Sequence, residues 1–375
     1  MMKKALVASS IAALLAAPWA QAEVSINGFA SVKAGMTTGS DETLFGYTDD
    51  IDFENESLFA VQLSSDLGDK LSVTAQLLAK GANDFDADFA WAFLSYQFTD
   101  NLRVNAGRLR IPFYKYSDYL DVGFAYDWIR TPRAVYDVEF DTMDGVSLYH
   151  SQMIGDWTSS IQLVAGAFDG EIKVNGVDSK SEAQDILGGS WELSNDWLNA
   201  RIAYFQADLT IDAIALNPLL AALKQFGFAP VASNLAFDSD SGTFFGLGFG
   251  IDRNDWVVNA EYTEIRVDNT FMADRDAYYF SVGHRFGAVT PFVSYEKDDD
   301  APQRQIYANL PNQLPLKPVV VGVVEQQYSD MDTWNVGVRY DFHPSAALKA
   351  QYSMADEAVT NQKSNLLTVG VDLVF

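Results

Sequence analysis

Apolar and polar residues alternate along this chain with a period of two, in segments of about ten residues, which is the period of β-strands whose two faces meet different surroundings. In the final segment Leu367, Val369, Val371, Leu373 and Phe375 alternate with Thr368, Gly370 and Asp372. In the first, Val24, Ile26, Ala30 and Val32 share one face while Ser25, Asn27, Ser31 and Lys33 share the other. Val336, Val338, Tyr340 and Phe342 stand in the same relation to Thr333, Asn335, Arg339 and Asp341. The pattern predicts strands near 24–35, 56–66, 70–80, 86–98, 101–111, 143–152, 156–168 and 182–193. It continues near 197–209, 241–252, 255–268, 275–287, 289–298, 329–342, 346–356 and 364–375, about sixteen in all. Short connections rich in turn residues, such as Asp66-Leu67-Gly68-Asp69, Gly155-Asp156 and Arg253-Asn254-Asp255, alternate with long ones near 37–55, 112–142, 169–181, 209–240, 268–275, 298–328 and 356–364.

A closing strand that is apolar on one face and stops on a terminal aromatic residue is how transmembrane β-barrels of bacterial outer membranes end. The expected fold class is therefore all-β, a closed antiparallel barrel, because an open sheet edge cannot persist in hydrocarbon. An even strand count places both termini and the short turns on the periplasmic side. Phe98, Phe286, Phe342 and Phe375 precede the short turns or the chain end, and Trp157 and Trp256 follow turns, as expected for an aromatic girdle at headgroup level. Barrels of about sixteen strands keep an aqueous bore, where about eight would be filled by side chains. The connection 112–142 is long for a hairpin loop and is the natural element to narrow that bore.

Lys3 and Lys4, the apolar run from Ala5 to Ala17 and Ala20-Gln21-Ala22 read as a secretory signal over residues 1–22, leaving 23–375 as the barrel domain. Beyond it no stretch reaches the ~18 apolar residues of a spanning helix. The chain has no cysteine, which excludes disulfides and thiolate metal sites, and no cofactor is expected. Removing the signal takes two lysines and no acid, so 23 basic residues against 51 acidic ones leave a charge of −28. That balance argues against nucleic acid and suits acidic loops among lipopolysaccharide and its divalent ions. Phe375 is the candidate assembly signal for the barrel assembly machinery.

Parity then nominates residues for the bore. Lys33, Arg103, Arg201, Arg339 and Lys349 share the polar faces of their strands. Arg108 and Arg110 share parity with apolar Leu102, Val104 and Ala106, so they point outward, sit above the hydrocarbon, line a subunit contact or follow a bulge. The long connection offers Asp118, Asp121, Asp127, Asp137, Glu139 and Asp141, with Arg130 and Arg133 either reaching the pore or pairing with Asp127, Asp137 and Glu139.

The terminal Phe375, the Asp66-Leu67-Gly68-Asp69-Lys70-Leu71 turn, the run from Asn101 to Arg108 leading into a long third loop, and the hairpin count resemble the Gram-negative general porins. The resemblance implies a sixteen-stranded homotrimeric diffusion channel whose third loop folds into the lumen and sets carboxylates opposite wall arginines. This chain departs from that pattern where the second and fourth strands carry Glu54, Glu56, Asp84, Asp86 and Asp88. The expected function is passive passage of small hydrophilic solutes and ions across the outer membrane, with a mild cation preference drawn from the acidic loops. A substrate-specific channel for sugar, phosphate or dicarboxylate stays open as an alternative. A barrel enzyme or an adhesin fits less well, since His150, His284 and His343 are scattered and no phosphate loop or dinucleotide fingerprint occurs. Asn217-Pro218 with Leu219, Leu220, Leu223 and Phe226 predicts a short helix, either dipping into the vestibule or packing on the rim. Pro311, Pro315, Pro318 and the run from Val319 to Val324 carry no assignable role.

Overall fold

The computed structural model describes residues 23–138, 140–174 and 177–375. The signal segment 1–22 and the candidate Glu139 lie outside the described residues. Sixteen antiparallel strands close into one barrel in which sequence neighbours pair throughout and β1 meets β16. The first half consists of β1 (Val24–Thr37), β2 (Leu58–Gly68), β3 (Leu71–Lys80), β4 (Ala87–Thr99), β5 (Leu102–Arg110), β6 (Thr142–Ile154), β7 (Trp157–Val174) and β8 (Val177–Ser194). The second half consists of β9 (Leu198–Ile211), β10 (Phe237–Arg253), β11 (Trp256–Val267), β12 (Asp274–His284), β13 (Val289–Ala301), β14 (Asp330–His343), β15 (Ala346–Glu357) and β16 (Gln362–Val374).

The alternation does the work of a two-solvent wall. In β16, Leu367, Val369 and Leu373 are exposed outward while Leu366, Thr368 and Asp372 are buried within. Trp334, Val336, Val338, Tyr340 and Phe342 show the same outward exposure along β14. Phe98, Trp256, Phe286, Phe342 and Phe375 are all exposed at the short-turn end, forming one aromatic level. The turns are tight for a stated reason: Asn254 and Asp255, both with positive φ (52° and 67°), join Arg253 to Trp256 in the two-residue geometry whose twist matches a hairpin.

Closure depends on the chain ends. The backbone N–H groups of Gly28 and Phe375 each donate to the other's carbonyl, at 2.8 and 2.9 Å. The Phe375 ring stacks on Phe59 at 5.9 Å, in space that a Cβ on Gly28 would invade at 2.4 Å.

The long connections 169–181 and 298–328 depart from expectation, while 209–240 holds the short helix expected from Asn217-Pro218. The hairpin of β7 and β8 keeps its ladder to Val174↔Val177, so most of the segment 169–181 is strand rather than loop. The segments 209–240 and 298–328 hold helices: α1 (Asn217–Gln225), α2 (Ala229–Asn234), α3 (Gln305–Ala308) and α4 (Lys317–Glu325). Leu219 and Leu223 of α1 are buried with Ala232 of α2, Ile306 of α3 and Val320 and Val324 of α4. These two loops thus share one apolar core at the long-loop end, while Phe226 stays exposed. Pro218 and Pro318 each occupy a first-turn position, where a missing N–H costs nothing.

Candidate functional site

The loop 111–141, the third connection at the long-loop end after those joining β1 to β2 and β3 to β4, leaves β5 and crosses the interior. Its side chains and backbone meet inward-facing residues on every strand from β9 to β16, which only a segment spanning the lumen can reach. Trp128 Nε1 donates to Ser281 Oγ of β12 (3.0 Å), the Ile129 N–H to Gln351 of β15 (3.1 Å), and the Ala134 N–H to Glu296 of β13 (3.2 Å). A long buried loop must find partners for its backbone groups, and the wall supplies them.

The wall cations bind carbonyls of this loop. Arg201 donates to the carbonyls of Pro112 and Phe113, the latter at 2.8 Å. Arg339 donates to Phe124 and Tyr126 at 2.7 and 2.9 Å and also pairs with Asp341. Lys349 donates to Gly123 and Trp128 at 2.6 and 2.8 Å and pairs with Asp372 at 2.7 Å. Asp372 accepts in turn from Ser31 Oγ at 2.5 Å. Backbone carbonyls of a folded loop are good acceptors for fixed charges, so these three cations act as tethers.

The loop's own Arg130 completes the anchorage. Its guanidinium makes a bidentate pair with Glu56 at 2.8 and 2.9 Å and donates to Ser353 and Thr368 at 3.2 and 2.6 Å. Burial pushes the Glu56 carboxyl upward, but Arg130 and Lys33 more than offset it and hold it down at about 2. Lys33 is itself buried on the inner face of β1. Arg133 lies over Phe45 at 5.8 Å.

At the root of the loop, Arg108 and Arg110 part company. Arg108 stays exposed and pairs with Asp144 of β6 at 3.2 Å. Arg110, the last residue of β5, is buried, lies over Trp91 at 5.2 Å, and meets Asp121 at 2.7 Å and Asp141 at 3.6 Å. Lys80 reaches the same Asp121 at 2.9 Å. Burial raises Asp121, but these two cations outweigh it and keep its carboxyl well below the usual range. Asp121 and Asp141 therefore clamp the loop to the wall. Asp118 and Asp137 are exposed, and the Asp137 carbonyl accepts from Arg275 at 2.8 Å. Asp127 is half-buried, and its carboxyl is pushed up by burial against the pull of Arg339 and Lys349. Arg103 lies over Tyr149 at 5.1 Å in the short-turn half of β5.

Where the loop is thickest, Tyr114, Tyr116 and Tyr136 are buried with Tyr279 of β12 in a layer of rings. Tyr114 and Tyr136 centroids lie 4.6 Å apart. Glu261 of β11 organises this layer, accepting from Tyr136 Oη at 2.5 Å and from the Lys115 N–H at 2.8 Å. Lys115 Nζ donates to Asn259 Oδ1 at 2.6 Å, and burial pushes its ammonium down to about 8.

A cavity opens on either side of the layer. The inner one, about 430 Å³ at the short-turn end, is lined by Asp127, Asp196, Asp252 and Asp341 and by Lys115, Arg285 and Arg339. The outer one, about 500 Å³ at the long-loop end, has Phe113, Phe140, Phe168 and Phe244 in its wall. Glu261, Glu296, Asp372, Lys80, Lys115 and Arg275 were not singled out from the sequence. Inward parity marks the strand members among them, but parity names no partner.

The histidines take part in the short-turn end. His284 meets Trp256 edge-on at 4.6 Å, and His343 Nδ1 accepts from the Ser345 N–H at 3.1 Å. His150 lies in β6 opposite Leu102.

The family model described as Gram-negative porin matches residues 8–372. The outer membrane channel DcaP of Acinetobacter baumannii is similar in structure, with a TM-score of 0.60 at 12% identity over 94% of this chain and 97% of that one. The anion-selective porin of Comamonas acidovorans gives 0.59 at 13% identity over 95% and 100%. The trimer form of in-vitro folded OmpT of Vibrio cholerae gives 0.55 at 10% identity over 94% and 99%. At such identities the likeness is one of fold. No curated protein sequence matches the chain.

Proposed function

We propose, from the premise that this chain belongs to the Gram-negative porin family, how an outer-membrane diffusion channel of this build selects what it passes. Its task is passive passage of small hydrophilic solutes and ions, and the third loop sets the constriction. Such a bore sorts by size and field and needs no chemistry or energy source. The observation that carries the reading is the pair of cavities standing on either side of one loop inside a closed wall.

Charge gives the preference. Four carboxylates face three cations in the inner cavity, and Arg285 and Arg339 are already engaged by Asp252 and Asp341. In the outer cavity Asp137, Glu182, Asp298 and Asp300 stand against Arg266 and Arg275. Both chambers carry excess negative charge, which supports a mild cation preference. The likeness to an anion-selective porin is one of fold, and the charge of this bore is left to its own lining residues. The functional unit we infer is a homotrimer, in keeping with the trimeric OmpT form, embedded among outer-membrane lipid and lipopolysaccharide.

Single-channel recording in a planar bilayer under a salt gradient tests this. Ohmic steps in groups of three with a reversal potential of cation sign are expected. A folded, heat-modifiable protein that passes no current overturns the passive-channel reading, and an anion-signed potential overturns the charge preference.

A further inference from the structure

The outer cavity is unlike a wet pore mouth. It lies among the long-loop ends of β7 to β14, and its wall is mostly aromatic and aliphatic, with a group of charged side chains set into it. Phe140 of the third loop stacks on Phe168 of β7 with centroids 4.8 Å apart and planes 16° from parallel. Phe113 packs on Phe205 and Phe244 at 5.1 and 4.8 Å. An apolar concavity of about 500 Å³ with a few convergent polar groups has the dimensions and make-up of a small-molecule site.

The polar groups sit together. Asp298 and Asp300 of β13 project inward two residues apart and are each only 7% exposed. Among the described residues, the cation paired with both is Arg275, at 3.8 and 3.5 Å. Those separations exceed the ~2.7–2.9 Å of a strong charge-assisted bond, and Arg275 gives its 2.8 Å hydrogen bond to the Asp137 carbonyl instead. The Oδ1 atoms of both aspartates have no hydrogen-bond partner among the described residues. Buried acceptors are ordinarily satisfied, and these two meet only the long contacts of Arg275, so a donor held in the cavity would give them the close bond they lack. Arg266 does not supply it, because its guanidinium turns to Asp276 at 2.7 Å. Glu182 at the rim is matched by Lys180.

We propose that this cavity binds an amphiphilic organic cation, with the ammonium on Asp298 and Asp300 and an aryl or alkyl body against Phe140 and Phe168. The proposal rests on the channel reading above and narrows it, because such a solute meets a holding site before it reaches the third loop. Anions are disfavoured by the paired carboxylates. Neutral aromatics leave the carboxylates open, and small hydrophilic cations leave the apolar wall wet.

The test uses the full mature protein refolded into a planar bilayer, with 2-phenylethylammonium added on the long-loop side. Ethanolammonium, 2-phenylethanol, 3-phenylpropionate and glucose serve as comparisons. Concentration-dependent block by 2-phenylethylammonium is expected at concentrations about tenfold below those of any comparison solute. Asp298→Asn with Asp300→Asn, and separately Phe168→Ala, are each expected to raise the blocking concentration about tenfold or more, in variants shown to be folded by heat-shifted mobility. Equal potency of 2-phenylethanol, ethanolammonium or glucose overturns the proposal. So does block unchanged in both folded variants.

Equilibrium dialysis of labelled 2-phenylethylammonium against the detergent-solubilised protein reads the site without any current. Binding without conductance sinks the channel reading and keeps the site. Conductance without saturable binding sinks the site and keeps the channel.

Discussion

Arg130 and Glu56, 74 residues apart, face each other through two hydrogen bonds of 2.8 and 2.9 Å that fasten the third loop to the wall before β2. Both side chains are nearly enclosed, at 4% and 13% exposure. Breaking one partner of a buried pair leaves the other uncompensated, which costs about 3–5 kcal/mol. Glu56→Gln is therefore expected to lower the urea midpoint of the refolded barrel and to add closing events to the current trace. Arg130→Lys, which loses the planar fork, is expected to fall between it and the natural protein.

The same pair sets an acid limit. The Glu56 carboxyl is held down at about 2, below its ordinary value. A depressed carboxyl contributes stability that is fully present above the ordinary carboxyl range, near pH 4.5, and is lost as pH falls through about 2. Stability measured from pH 6 down to pH 2 is expected to decline below about 4.5 in the natural protein. The decline is expected to be shallower in Glu56→Gln; identical profiles would remove Glu56 from the account.

Lys115 predicts a change in selectivity in the opposite range. Burial holds its ammonium down to about 8, so it loses its charge as pH rises through that value. The inner cavity then keeps four carboxylates against two cations. Cation preference in a salt gradient is expected to increase between pH 7 and pH 9. Lys115→Gln is expected to show the higher preference at both values, with a flat dependence between them.

The tyrosine layer predicts the bore. Tyr114 and Tyr136 sit ring against ring between the two cavities, with Glu261 bonded to Tyr136. Replacing both tyrosines with alanine is expected to raise single-channel conductance about twofold and to admit larger neutral sugars in a liposome-swelling assay. Unchanged conductance in the folded double variant would place the narrowest passage elsewhere.

Closure predicts an assembly defect. A side chain at Gly28 enters the space of the Phe375 ring and approaches the Ala60 carbonyl at 2.8 Å. Gly28→Val and deletion of Phe375 are each expected to reduce the heat-modifiable fraction severalfold, because both remove the seam between β1 and the chain end. Val32→Ala, on the lipid face of the same strand, is expected to leave that fraction near its natural level.

Sixteen strands, their short turns and the lipid face were legible because each is a local property. A period of two is written in consecutive residues, and Asn254-Asp255 carries its turn in its own side chains and backbone. The legibility fails where lipid ends. Above the hydrocarbon, β7 and β8 continue to Val174 and Val177, where Asp169, Glu171, Lys173, Asp178 and Lys180 make 169–181 read as loop although Ile172 and Val174 keep the period of two and Asn175-Gly176 is a hairpin pair in the sequence. The valines of α4 likewise gave no sign of their use, since the face they bury belongs to α1 and α2 about a hundred residues earlier.

The sequence by itself determined a closed barrel and, along its regular strands, which side chains look inward. Only the tertiary structure decided what they meet there. Parity turns Arg201, Arg339 and Lys349 toward the lumen, but the carbonyls of Pro112, Phe124 and Gly123 that they hold become neighbours only when the third loop crosses the bore. The same holds for Glu56 with Arg130 and for Asp298 with Arg275. The physical reason is that strand period is fixed by steric and solvent contrasts between adjacent residues, whereas a charge inside a barrel answers to whatever stands across an aqueous gap, and that separation is measured in space and not along the chain.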